Sequence, residues 1–134
     1  MTILEQYSDQ INAFRDHDAA ISWFISLGES HSVIQENLRV PKNYVRGCCP
    51  DCKVWCTAEC TDNIWKIIAD SDSKQLKSLC KILTDVYTGK TASEIKNIKY
   101  KDFYSISKVL NREKQKGLQS LINRVHNLVS KKLD

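Results

Sequence analysis

A chain of 134 residues with 42% apolar and 27% charged residues is long enough to bury a core without covalent staples and too apolar for disorder. The net charge is only +4, and its lysine-rich stretches at 96–101 and 108–132 are interspersed with neutral and acidic residues. No aromatic and basic interleaving accompanies them, so a nucleic-acid partner is not expected.

No apolar run approaches the roughly 20 residues of a membrane span. The opening MTILEQYSDQ lacks the basic and apolar regions of a secretory signal. We therefore expect a single domain over 1–134 in a reducing compartment, the cytoplasm, or an organelle if a transit peptide has been removed. Structural disulfides are rare there.

In chain order, Ile3, Leu4, Tyr7, Ile11 and Phe14, then Ile21, Phe24 and Ile25, fall at helical spacing. The acids of Asp16–Asp18 divide them into two helices. Gly28 is placed as a C-cap, with His17 and His31 in solvated turns. Residues 30–43 read as an irregular connector, extended before Pro41. The runs CKVWCTAEC and NIWKIIAD, separated by the turn residues TDN, predict an antiparallel hairpin, with NYVRG as a third strand. Period two puts Cys52, Val54, Cys56, Ala58 and Cys60 on one face.

A helix follows from an N-cap at Ser71 or Asp72, burying Leu76, Leu79, Cys80, Leu83 and Val86, and ends at Gly89. Thr91 and Glu94 form a capping-box pattern before a short helix. The last helix, about 114–131, aligns Leu118, Leu121, Ile122, Val125 and Leu128. The expected fold is α+β: a small three-stranded antiparallel sheet at about 43–70 with helices packed on one face.

Four of the six cysteines lie in Asn43–Cys56, NYVRGCCPDCKVWC. Three chemistries compete. CPDC has the spacing of half a zinc site, but no second close pair is evident, and Cys56 and Cys60 stand about 13 Å apart on a strand. A thioredoxin-like pair would need a helix directly after it, where a strand is expected. A carrier thiol at Cys48, after the permissive Gly47, is the third. From the residues alone it competes evenly with a merely buried cysteine, the role expected for Cys56, Cys60 and Cys80.

The motif Asn-x-Val-x-Gly-Cys, here Asn43, Val45, Gly47 and Cys48, followed by Val54-Trp55, resembles the SufE family of sulfur acceptors for cysteine desulfurases. ADSDSKQLKSL, TASEI and KGLQSLI resemble further family segments, in order, along nearly the whole chain. Two departures are visible. The interval between Cys48 and Val54 holds five residues where the family usually has three. Lys114 stands where the family carries an arginine.

The resemblance implies that Cys48 takes persulfide sulfur for iron–sulfur cluster assembly, with Asn43, Val45 and Gly47 supporting its loop. Cys49 and Cys52, brought by the insertion, become candidate relay or resolving thiols, including a Cys48–Cys52 disulfide. Asp70, Asp72 and Lys114 become candidate partner-binding residues. The implied partners are a SufS-type desulfurase and a SufBCD-type scaffold, with the chain a monomer or weak homodimer. No resident metal or cofactor is expected, since pyridoxal phosphate belongs to the desulfurase. A zinc-binding module, or a desulfurase-binding regulator without sulfur transfer, is the alternative.

Overall fold

The computed structural model describes residues 1–31, 34–47 and 52–131, with Lys131 described by its backbone alone. Helices α1 (Ile3–Asn12) and α2 (His17–Glu29) open the chain. Thr2 and Glu5 close a reciprocal capping box on α1, and the Asp16 carboxylate caps α2 by accepting from the Asp18 N–H. These caps satisfy donors that the first helical turn leaves open, and so divide the apolar run in two.

Strands β1 (Val54–Thr61) and β2 (Ile64–Ser71) pair antiparallel, from Val54 opposite Ser71 to Thr61 opposite Ile64. Their turn places Asp62 at φ 53° and Asn63 at φ 68°. Two consecutive left-handed residues make a type I′ turn, whose twist matches that of the strands, and Asp and Asn tolerate it better than other non-glycine residues. The sheet has two strands, where the sequence predicts three. Its expected third strand is reduced to a single bridge, Tyr44 to Trp55, with the Val45 N–H donating to the Val54 carbonyl at 2.8 Å. A 3-10 turn at Pro41–Asn43 precedes this contact, and Gly47 at φ +88° follows it. Too few extended residues remain between them to build a ladder.

Helices α3 (Lys74–Tyr87), α4 (Ala92–Asn97), α5 (Tyr104–Ser107) and α6 (Arg112–Lys131) complete the fold. Against one sheet face, α3 packs on β2 and α6 on β1, while α1 and α2 pack on α3. Cys56, Ala58, Trp65, Ile67 and Ala69 supply that face, all buried. Its small residues let the helices approach closely. The α3 stripe Leu76, Leu79, Cys80, Leu83 and Val86 is buried as its spacing predicts. Each fully buried Leu or Val contributes about 1.5–3 kcal/mol of transfer free energy. Cys60 departs from expectation: it lies near the turn end of β1 and is exposed.

Two cap assignments move. Ser73, not Ser71 or Asp72, caps α3 by accepting from the Leu76 N–H. Gly28 is not a C-cap but lies within α2, where it serves close approach to α3. A Cβ there would sit 2.9 Å from Ser78 Oγ and 3.0 Å from Ser78 N. Gly89, at φ +89°, does terminate α3, and the capping box of Thr91 and Glu94 opens α4. The clash at Gly28 sets a test. A Gly→Ala change in a helix ordinarily gains up to about 1 kcal/mol, but overpacking costs about 1–3 kcal/mol. Gly28→Ala is therefore expected to lower stability by about 1–2 kcal/mol in urea unfolding. A gain would contradict the close packing of α2 on α3.

Candidate functional site

The cysteine segment enters through Asn43–Gly47 and leaves through Cys52 and Lys53. Cys48 and Cys49 themselves lie outside the described residues, and so does any assignment of a Cys48–Cys52 bond. The two flanks are well defined. Upstream, the buried Asn43 donates through Nδ2 to the Leu38 carbonyl at 2.9 Å, closing the connector on itself. Tyr44 and Val45 then bond the start of β1. Gly47 lies directly on α6: a Cβ in its place would stand 2.9 Å from Ser120 Oγ. Positive φ and contact with the helix both require glycine at this position.

Downstream, Lys53 is held on both sides of its peptide. Its N–H donates to Asp72 Oδ1 at 2.8 Å, while its carbonyl accepts from Ser71 Oγ at 2.8 Å and from the Asp72 N–H at 3.2 Å. Cys52 is half-buried, and Lys114 Nζ stands 3.9 Å from its sulfur. Cys56 and Cys80 are buried, and Cys60 is exposed. Among the described residues no three or more His, Cys, Asp or Glu side chains gather as a metal site would require.

Asp70 organises the surroundings of these flanks. Its side chain is fully enclosed, with Lys77 Nζ at 2.6 Å and Arg39 Nη2 at 3.1 Å. The backbone N–H groups of Ser71, at 2.8 Å, and Ile34, at 3.2 Å, also donate to it. Burial by itself pushes this carboxyl's pKa up. The hydrogen bonds from Lys77, Ser71 and Ile34, with the Lys77 charge, outweigh burial and hold it below the usual carboxylate range. Asp70 thus presents no surface of its own to a partner, whereas Asp72 is exposed beside the segment.

Arg39 also stacks on Trp55, its guanidinium carbon 4.8 Å from the ring centroid, and Tyr44 packs against the same ring at 5.9 Å. Arg39, Lys77 and Ser120 carried no signal in the sequence, because each acts on a residue remote in the chain or lies on a helix face that reads as solvated. His31 is not in a solvated turn: it is half-buried, and its Nε2 lies 2.7 Å from the Ala69 carbonyl.

The SufE family, described as an Fe-S metabolism associated domain, matches residues 5–129. The chain belongs to the SufE family. Two curated relatives are named uncharacterized SufE-like proteins, one from Rhizobium etli and one from Rhizobium meliloti. Each is 27% identical over 93% of this chain, covering 88% and 93% of the relative's own length. In fold, the solution structure of a hypothetical protein from Thermus thermophilus superposes with a TM-score of 0.79 at 11% identity. That likeness covers 99% of this chain and 98% of the other. SufE membership ties the chain to iron–sulfur metabolism. Among its described residues no helix is long and apolar enough to cross a membrane.

The Asp70 cluster yields a test of stability against pH. A carboxyl with a lowered folded pKa contributes fully above its unfolded value, near 4, and loses that contribution as pH falls through the folded value. Asp70→Asn removes the charge and leaves Arg39 and Lys77 uncompensated. Both cations are partly exposed, so the cost falls below the 3–5 kcal/mol of a fully buried pair, at about 2 kcal/mol. Urea unfolding at pH 7 measures this loss. Below pH 4 the variant's stability should fall less steeply than that of the unsubstituted protein. Equal slopes would contradict the ionised, clamped carboxylate.

Proposed function

We propose that this SufE-family chain accepts sulfur from a SufS-type cysteine desulfurase. It carries the sulfur as a persulfide on Cys48 and delivers it to a SufBCD-type scaffold for iron–sulfur cluster assembly. The observation that supports this most is the fastening of the cysteine segment at both flanks. Val45 and Gly47 are fixed against β1 and α6, and Lys53 against Ser71 and Asp72. A nucleophile borne on a short segment between fixed points meets a partner's sulfur with little loss of conformational freedom.

In the transfer, the Cys48 thiol loses its proton and the thiolate attacks the terminal sulfur of the donor's persulfide. A new S–S bond forms on Cys48 as the donor's own S–S bond breaks. The donor's cysteine leaves as a thiolate and takes up the proton. One sulfane sulfur changes carrier, with no net oxidation. Asn43, Val45 and Gly47 support the segment. Asp72 and Lys114 are the polar groups beside it that a partner meets, and Asp70 acts on that surface only through Arg39 and Lys77. Cys49 and Cys52 are candidate relay or resolving thiols, with Lys114 Nζ 3.9 Å from the Cys52 sulfur. The chain works as one domain, in the cytoplasm, with pyridoxal phosphate confined to the desulfurase.

Intact mass after incubation of reduced protein with the desulfurase and cysteine tests the proposal. The expected gain is one sulfur atom, mapping to the Cys48 peptide. Cys48→Ser should abolish it, because a serine hydroxyl is un-ionised at neutral pH and forms no persulfide. Cys49→Ser and Cys52→Ser should each keep a first transfer. Full labelling of Cys48→Ser, at Cys49 or Cys52, would show that the nucleophile lies in the insertion.

A further inference from the structure

Beside the entry to the cysteine segment, Pro41–Arg46 and the outer face of α6 enclose a polar concavity of about 480 Å³. Among the described residues its lining holds three cations, Lys42, Arg46 and Arg124, with Ser120, Asn123 and Asn127, and no carboxylate. Among the described residues none of the three cations forms an ion pair. Lys42 and Arg46 are exposed. Arg124 is half-buried and already set in place: its Nε donates to the Cys56 carbonyl at 3.2 Å and its Nη2 to the Lys42 carbonyl at 3.0 Å. Those bonds use two of a guanidinium's five N–H donors. The remaining donors belong to a fixed fork, the geometry that takes a carboxylate in bidentate fashion at least entropic cost.

We propose that this groove docks an acidic segment of the protein that donates sulfur. The inference rests on the sulfur-acceptor reading and adds the chemistry of the partner's surface. Transfer needs two sulfur atoms in contact, so some surface of the donor must lie against the flanks of the cysteine segment. The groove is one such flank. Gly47, the residue before Cys48, rests on Ser120, which lines the groove. Arg46 lies one residue earlier.

Three positive charges around one polar concavity, with no ion pair among the described residues, select a surface bearing carboxylates, steer its approach and set its register. A nucleic acid suits the groove poorly. Phosphate recognition draws on a longer track of cations, and stacking on bases needs a free aromatic face. Tyr44, the aromatic residue in the lining, is packed on Trp55.

The test uses the cysteine desulfurase of the same organism as the probe, with the full chain reduced. Lys42→Glu combined with Arg46→Glu reverses two groove charges. Lys96→Glu combined with Lys101→Glu makes the same change on and just after α4. The groove variant should bind the desulfurase at least about tenfold more weakly at low salt. The control should stay close to the unsubstituted chain, and the gap should narrow as salt rises towards about 1 M. Both cations reversed in the groove are exposed, so unfolding midpoints should match. Sulfur uptake from glutathione persulfide, which needs no docking, should be equal in all three proteins.

Equal binding of groove variant and control, with the unsubstituted chain sulfurated normally, would overturn the groove assignment alone. Loss of affinity for duplex RNA without loss for the desulfurase would overturn it too, in favour of a nucleic-acid surface. An unsubstituted chain that neither binds the desulfurase nor takes sulfur from it would instead overturn the sulfur-acceptor reading, and the groove assignment with it.

Discussion

The enclosed carboxylate of Asp70 is the constraint from which much of the molecule follows. Removing a carboxylate from water costs several kcal/mol, and here four donors from three separate segments offset it. Ile34 and Arg39 come from the connector, Ser71 from the end of β2, and Lys77 from the first turns of α3. Among its described residues the connector forms only 3-10 turns, and this carboxylate ties it to the end of β2. Arg39 then lies over Trp55, although its buried Nε has no acceptor among the described residues. That loss shows how strongly the ion pair and the stacking dictate the side chain's place.

The cysteine segment inherits this order. Its upstream flank follows the connector, tied by Asn43 and by the short contact of Tyr44 and Val45 with β1. Its downstream flank is held by Ser71 and Asp72, the two residues directly after Asp70. A single acid inside the protein thus ties the connector that leads into the segment to the strand end beside its exit. The charges of Lys42, Arg46 and Arg124, which form no ion pair among the described residues, line a groove beside the upstream flank. The fold separates an internal electrostatic clamp from an external electrostatic surface.

Local chemistry was legible in the sequence wherever it decided the structure. Thr91 with Glu94 makes the capping box it spells, and the α3 stripe is buried at its expected positions. The hairpin lies where period two places it. Errors arose where tertiary contact decided. NYVRG has strand composition, yet a 3-10 turn before it and a left-handed glycine within it leave one bridge. Gly28 reads as a helix end because glycine often is one, and nothing local reveals Ser78 of α3 against it. Cys60 has the period of the core face but lies exposed near the turn end of β1. For the site, the motif around Gly47 pointed to the cysteine segment. Its supports, Arg39, Lys77 and Ser120, come from residues distant in sequence, and their pairing has no local signature. Asp70 stood out as a candidate for contact with a partner, whereas its burial makes it an internal anchor.

The central claim is that this chain is a station for sulfur between donor and acceptor. A single-turnover experiment tests it most directly: a desulfurase loaded once with radiolabelled persulfide, freed of cysteine and reductant, then mixed with the reduced chain. The account predicts that label leaves the desulfurase and appears on this chain, up to one sulfur per molecule and in step with the donor's loss. Label that stays on the desulfurase, or escapes as free sulfide without ever residing on this chain, would contradict it.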